Sequence, residues 1–151
     1  MSTATSTLAL LEQELTLLAR HQLSSSHQTP DLALDRSGYQ LLSRLELGAL
    51  SLGGLADAFK LDVSTVNRQV ASLRAKGLVE RIADPDGGLA KLLRPTRRGL
   101  ALLRKDREVR NDHVGQVVLD WDDDDVARLH ALLARFNGSI EALEGRPWPR
   151  S

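Results

Sequence analysis

Leucines recur every three or four positions over the first part of the chain and predict α-helices there. A first helix is expected over residues 5 to 25, where four leucines lie on one face, at Leu8, Leu11, Leu15 and Leu18. The loop SSSHQTP should end it, and either Asp31 or Asp35 can cap a second helix that runs to about Glu46.

The middle of the chain predicts a short helix, a turn and a further helix. Residues 51 to 59, SLGGLADAF, form the short helix, and Asp62 can cap the next one by accepting a backbone N–H of its first turn. This next helix should stop at Lys76, because Gly77 suits the left-handed conformation found just past a helix end.

The stretch VSTVNRQVASL, residues 63 to 73, has two unlike faces when it is wound as that helix. Val66, Val70 and Leu73 lie on one side. The opposite side carries no acidic residue and presents short hydroxyls and one guanidinium, on Ser64, Thr65, Arg68 and Ser72. Such a face is either ordinary wet surface or a surface that enters the major groove of a DNA duplex.

A β-hairpin and a long helix are expected next. Two apolar runs flank the turn DPDGG and predict a hairpin over about 78 to 94, which Pro95 breaks. Thr96 then caps a highly charged helix that reaches about Leu119.

The last helix begins at DWDDDD and carries a narrow apolar seam. Its apolar residues are three and four positions apart, as in a coiled coil, at Val126, Leu129, Leu133, Phe136, Ile140 and Leu143. This seam predicts a dimer interface or a core contact, with a ligand groove as the alternative. The acids from Asp122 to Asp125 complement the helix dipole, with a divalent-ion site as the alternative. The tail EGRPWPRS is expected to fray.

Composition excludes several classes of protein. The 151 residues fit a single domain, and the lack of cysteine excludes disulfides, thiolate zinc sites and thiol redox sensors. No apolar run reaches the roughly 18 residues of a membrane span. No basic segment precedes the leucines of the N-terminus, so we expect a soluble cytoplasmic protein.

The net charge of zero hides a basic centre. Residues 51 to 110 hold 13 Lys and Arg against 7 Asp and Glu, so the rest of the chain holds 7 against 13. A local excess of this kind favours a polyanionic partner, although solvated surfaces also carry such excesses.

The sequence lacks the usual signals of catalysis and metal binding. It has no Gly-x-Ser-x-Gly elbow, no phosphate-binding glycine loop and no paired catalytic carboxylates. Its histidines lack the i, i+4 spacing of a helical zinc site, and they are His21, His27, His113 and His130. We therefore expect neither an enzyme nor a bound cofactor or metal.

The order of helix, turn, helix and hairpin is that of a winged helix-turn-helix. Residues 55 to 81, LADAFKLDVSTVNRQVASLRAKGLVER, are similar to the central motif of the MarR family of bacterial transcriptional regulators. In that family a Leu-Ala pair opens the supporting helix, here Leu55 and Ala56. A Ser-Thr-Val-x-Arg run opens the recognition helix, here Ser64 to Arg68, and a Leu-x-x-x-Gly-Leu-Val-x-Arg run, here Leu73 to Arg81, leads into the wing.

This resemblance implies a mostly α-helical fold with a small β-hairpin wing in one MarR-like domain, residues 1–151. The winged helix-turn-helix lobe should cover 31–95, and dimerisation helices should cover 5–28 and 96–143. The implied function is a ligand-responsive repressor that binds double-stranded DNA at a pseudo-palindromic operator as a homodimer. A small-molecule inducer is implied as well, with Tyr39, Arg44 and His113 as conceivable pocket groups by location only.

Seven residues are expected to contact DNA in this arrangement. Arg68 can reach a guanine edge or a phosphate, and Asn67 ranks below it because it lies about 90° from the centre of the polar face. The full set is Ser64, Thr65, Asn67, Arg68, Ser72, Lys91 and Arg94.

The wing departs from the family pattern. MarR proteins usually carry an Asp-x-Arg at the wing tip, and Gly87 and Leu89 stand at those positions here. The usual minor-groove arginine is therefore missing, while phosphate contacts remain available from Lys91, Arg94, Arg97 and Arg98. Its loss favours the alternative function, a winged-helix module that binds protein and does not bind DNA specifically.

Overall fold

The computed structural model describes residues 3–25 and 31–150, which form six helices and one two-stranded hairpin. Most of the described residues are helical, so the predicted fold class, a mostly α-helical winged helix-turn-helix, is confirmed. In chain order the elements are α1 Thr3–Ser25, α2 Arg36–Glu46, α3 Leu52–Phe59, α4 Val63–Ala75, β1 Val79–Ile82, β2 Leu92–Pro95, α5 Arg97–Val117 and α6 Asp123–Glu144.

Side-chain caps fix the starts of the helices from α2 onward. Asp35, rather than Asp31, accepts the Gly38 N–H at 2.7 Å and begins α2. Asp62 and Thr96 cap α4 and α5 as predicted. Asp122 caps α6, so the acidic run lies in a first turn, where it complements the helix dipole. Among the described residues, no group of three His, Cys, Asp or Glu side chains is placed to hold a metal ion.

The hydrophobic core lies in a central lobe made of α2, α3, α4, the hairpin and the first part of α5. The predicted apolar face of α4 is buried there, because Val66, Val70 and Leu73 are each 4% exposed or less. Ala56 of α3 is also buried, and its small side chain lets α3 and α4 cross closely. Burial of one face of α4 fixes the opposite face toward solvent.

The hairpin differs in detail from the prediction. The sequence predicts that Pro95 breaks the hairpin, but Pro95 is the last residue of β2 and lies opposite Val79. A proline can take this place because the terminal position needs no further ladder N–H. Leu50 adds an isolated bridge to Leu93, with N–H···O distances of 3.2 and 2.8 Å in the two directions. A single bridging residue produces no alternation of apolar and polar positions in the sequence, so the pairing of this third segment with the hairpin was not predicted.

Helix α5 is joined to the lobe through two buried contacts that sequence reasoning missed. The Asp106 carboxylate is wholly buried and accepts the N–H of Ala33 at 2.9 Å and of Leu34 at 2.8 Å. Gly99 lies against the carbonyl of Leu78, so closely that a Cβ on Gly99 would stand 2.1 Å from that oxygen. Helix α5 ends at Val117, two residues earlier than expected.

Helices α1 and α6 lie outside the core. The structure describes every residue of α6, and none of them is buried. Most residues of the predicted seam are between 36 and 39% exposed. Ser24 and Ser25 belong to the helical span of α1, and the rest of the predicted SSSHQTP loop lies outside the described residues. No helix in the described part of the chain is both long and apolar enough to cross a membrane.

Candidate nucleic-acid interface

The exposed face of α4 is the main candidate surface. Ser64, Asn67, Arg68 and Ser72 are exposed, and Thr65 is half-buried. The helix is anchored from below by its three buried apolar residues, so these side chains have a fixed direction of approach. A rigid helix with exposed polar side chains fits the width of the major groove of B-DNA.

The first turn of α4 uses some of its polar groups internally. The Asp62 carboxylate accepts the Thr65 N–H at 2.7 Å and the Ser64 hydroxyl at 2.9 Å. Hydrogen bonds from Thr65, followed by the one from Ser64, lower the pKa of Asp62 from 3.8 to about 2. The Thr65 N–H is therefore occupied, and the Ser64 hydroxyl is left to act as an acceptor.

A shallow cleft of about 350 Å³ extends the polar face of α4 toward the start of α2. Arg68 and Ser72 line it together with residues that the sequence did not predict to contact DNA. These additional residues are Leu34, Asp35, Ser37, Gly38, Gln69, Leu73 and Lys76. Ser37 comes from a different helix, and no sequence pattern links that helix to α4. The cleft places the cations of Arg68 and Lys76 on one surface.

The wing presents fewer free cations than the sequence suggested. The Arg94 Nε donates to the Glu80 Oε1 at 2.7 Å across the two strands, so this guanidinium already has a partner. Lys91 is exposed beside it. Leu89 is fully exposed at the turn, and Gly87 has a φ of 81°, a left-handed conformation that suits glycine. The turn therefore presents an exposed leucine where the family pattern has a minor-groove arginine, and its DPDGG sequence adds two acidic residues.

The three conceivable pocket residues have different surroundings. The Arg110 guanidinium lies 3.9 Å above the Tyr39 ring centroid. Arg44 instead lies 5.6 Å from the ring centroid of Trp148. His113 is exposed on α5.

Comparisons with known proteins agree with this architecture. A sequence profile described as MarR family matches residues 34–88, which span α2 to the wing turn. An uncharacterized HTH-type transcriptional regulator, YxaD of Bacillus subtilis (strain 168), is 37% identical over 132 residues, covering 85% of this chain and 91% of that protein. The chain belongs to the MarR family of transcriptional regulators.

Solved structures with low sequence identity share the MarR fold. A MarR family protein from Bacillus stearothermophilus has a TM-score of 0.80 at 20% identity, covering 92% of this chain and 99% of that one. A crystal structure of MarR has a TM-score of 0.75 at 22% identity, with 89% and 93% covered. A cysteine-to-serine mutant of MarR from E. coli, complexed with operator DNA, has a TM-score of 0.65 at 18% identity, with 90% and 99% covered.

Proposed function

We propose that this MarR family regulator is a homodimeric, ligand-responsive repressor that binds a pseudo-palindromic DNA operator. The observation that carries the proposal is the exposed, acid-free face of α4, held outward by a buried apolar face, with Arg68 on it. The structure of a MarR protein with the same fold in complex with operator DNA supports DNA binding by this chain. Binding at a promoter would then exclude RNA polymerase, and a cytoplasmic location follows from that role.

Each predicted contact has a distinct role in this proposal. Arg68 reads a base edge, because its guanidinium can donate two hydrogen bonds to the O6 and N7 of guanine. Ser64, Thr65, Asn67 and Ser72 surround it on α4 and contribute polar contacts. Lys91 contacts a phosphate, and Arg94 does so with the guanidinium nitrogens that its Glu80 partner leaves free.

Homodimerisation is inferred from the exposed apolar side chains of α1 and α6. Leu8 is 66% exposed and Leu11 44% exposed on α1, while Leu129, Leu133 and Phe136 are 37 to 39% exposed on α6. Large apolar side chains left exposed along whole helices mark interaction sites in a monomer. In this proposal the DNA-binding lobe covers 31–95 and the dimerisation segments cover 5–28 and 96–143. Of these, residues 26–28 lie outside the described part of the chain. A twofold dimer presents two α4 helices to half-sites about 10 bp apart.

An inducer would act by binding one spacing of the two lobes more tightly than other spacings, which shifts the dimer toward that spacing.

The second candidate function, a protein-binding winged helix, is favoured by the fully exposed Leu89 at the wing tip. An exposed leucine can pack against a protein, and the two acidic residues of the same turn would repel phosphate.

Selection of duplexes from a random pool, followed by salt titration on the selected site, tests the proposal. We expect an enriched inverted repeat whose affinity falls steeply with salt, because bound cations release counterions from phosphates. No enrichment by a folded dimer at low salt would reject DNA recognition and favour the protein-binding module.

Arg68→Ala tests the recognition helix, with Arg74→Ala as the matched control on the same helix. Both changes remove one positive charge, but Arg74 lies at the flank of α4, two turns beyond Asn67. Arg68→Ala should weaken specific binding by about 1 to 3 kcal/mol and relax the base preference at one position. If both variants lost the same amount of affinity for every DNA sequence, Arg68 would contact only phosphate and would not read a base.

A further inference from the structure

The chain turns back on itself after α6. Gly145 takes the left-handed conformation, with a φ of 63°, and ends the helix. The following residues return to Glu141, whose Oε2 accepts the Trp148 backbone N–H at 3.0 Å and one Arg150 nitrogen at 2.9 Å. We call residues 145–150 the C-terminal strap. Contrary to the expectation of a frayed tail, the strap has defined contacts.

The other side of the strap is attached to the DNA-binding lobe. The Trp148 ring meets Phe59 of α3 edge-on, with centroids 5.3 Å apart and planes at 77°. Arg44 of α2 covers the Trp148 ring at 5.6 Å. The Arg146 guanidinium donates to the Asp57 Oδ1 at 3.3 Å. An ion pair between Lys60 and Glu144 lies beside these contacts.

These contacts connect the two parts of the molecule that must be held at a fixed angle. Helix α6 carries the apolar seam, and α3 supports the recognition helix α4 through the buried Leu55 and Val66. The strap joins the C-terminal end of α6 to α3 and α2. The connection through α5 is one continuous helix, which contacts the lobe from Gly99 through Asp106 to Arg110. The residues of α5 beyond these contacts, 111–117, are exposed.

We propose that the C-terminal strap positions the DNA-binding lobe on α6 and thereby sets the half-site spacing that the dimer prefers, with Trp148 as the principal positioning residue. This inference rests on the proposed function. Its physical basis is that a bivalent binder gains from its second site only when its geometry lets both sites be occupied together. The strap restricts the angle of each lobe, so few spacings are allowed.

The test uses full-length protein and a set of inverted repeats of the selected half-site, whose separation changes in single base pairs. Wild type should prefer one separation over neighbouring ones by about 100-fold in Kd, the usual gain from a second linked site. Trp148→Ala should keep the affinity for a single half-site and reduce that preference to about tenfold or less. Pro149→Ala, in the same segment and exposed, is the control and should keep the wild-type preference.

A charge swap provides a second test that does not depend on the aromatic packing. Asp57→Arg and Arg146→Asp each place like charges together and should flatten the spacing preference, whereas the double exchange should restore it. Both side chains are largely exposed, so the single variants should fold. The two single changes alter the net charge in opposite directions, so an effect of overall charge alone would shift the preference oppositely in the two variants and would contradict a role for the ion pair.

The outcomes separate the two proposals. A spacing preference unchanged by Trp148→Ala and by both single charge changes, in proteins confirmed as folded dimers, would overturn the strap inference and leave the proposed function standing. Absence of sequence-specific binding by wild type at every separation would overturn both.

Discussion

Replacing Asp106 by alanine should destabilise the fold strongly, although the residue is far from the candidate DNA surface in the sequence. Its carboxylate is wholly buried and accepts two backbone N–H groups, from Ala33 at 2.9 Å and Leu34 at 2.8 Å. These bonds tie the segment before α2 to the middle of α5. Alanine removes both acceptors and supplies no substitute.

The expected magnitude follows from the different surroundings of the two N–H groups. Leu34 is 5% exposed, so its N–H would be left buried without a partner, which costs about 1 to 3 kcal/mol. Ala33 is exposed, so its N–H can turn to water and lose only the net value of one bond, about 1 kcal/mol. Asp106→Ala should therefore lower the free energy of unfolding by about 2 to 4 kcal/mol. Asp106→Asn keeps one acceptor oxygen and should cost less, about 1 to 3 kcal/mol.

Urea unfolding followed by far-ultraviolet circular dichroism would measure these differences. All proteins must be compared at one protomer concentration, because the stability of a dimer depends on it. Asp112→Ala, an exposed change on the same helix, is the control and should stay within about 0.5 kcal/mol of wild type. If Asp106→Ala were as stable as this control, the buried carboxylate would not hold the two segments together.

Three further predictions concern single residues. Gly99→Ala should cost about 3 kcal/mol in urea unfolding because its Cβ would meet the Leu78 carbonyl, whereas Gly115→Ala, which has nothing within 4 Å, should be neutral or slightly stabilising. Leu89→Arg should tighten operator binding and steepen its salt dependence by about one unit of slope, and unchanged binding would show that the wing tip stays away from the DNA. The Asp62 carboxyl should titrate near pH 2 in an NMR titration, so its stabilising cap is intact above pH 3.8 and lost as the pH falls toward 2; titration at 3.8 would contradict the hydrogen bonds assigned to it.

Sequence patterns were sufficient wherever the physical cause lies within a few neighbouring residues. The caps at Asp62 and Thr96 form with N–H groups three residues later, and both were predicted. The two faces of α4 follow from the helical period, because Val66, Val70 and Leu73 can be buried together only on one side. These local rules placed the polar face of the candidate site correctly.

The same rules could not show which polar groups of that site are already occupied. The Arg94 guanidinium pairs with Glu80 only because the hairpin register sets the two residues opposite each other. Ser37 and Lys76 meet in one cleft because α2 and α4 pack together. The fraying predicted for the tail was wrong for a related reason, since Trp148 meets Phe59, which is distant along the chain.

The sequence by itself determined the helices, their caps, the wing and the direction of the polar face of α4, because hydrogen bonds to nearby residues and the burial of one helical face depend on local spacing. Only the tertiary structure decided what holds those elements at fixed angles. Asp106 reaches the segment before α2 and the C-terminal strap reaches α3 across large separations in sequence, and such contacts exist only after the core has brought the helices together.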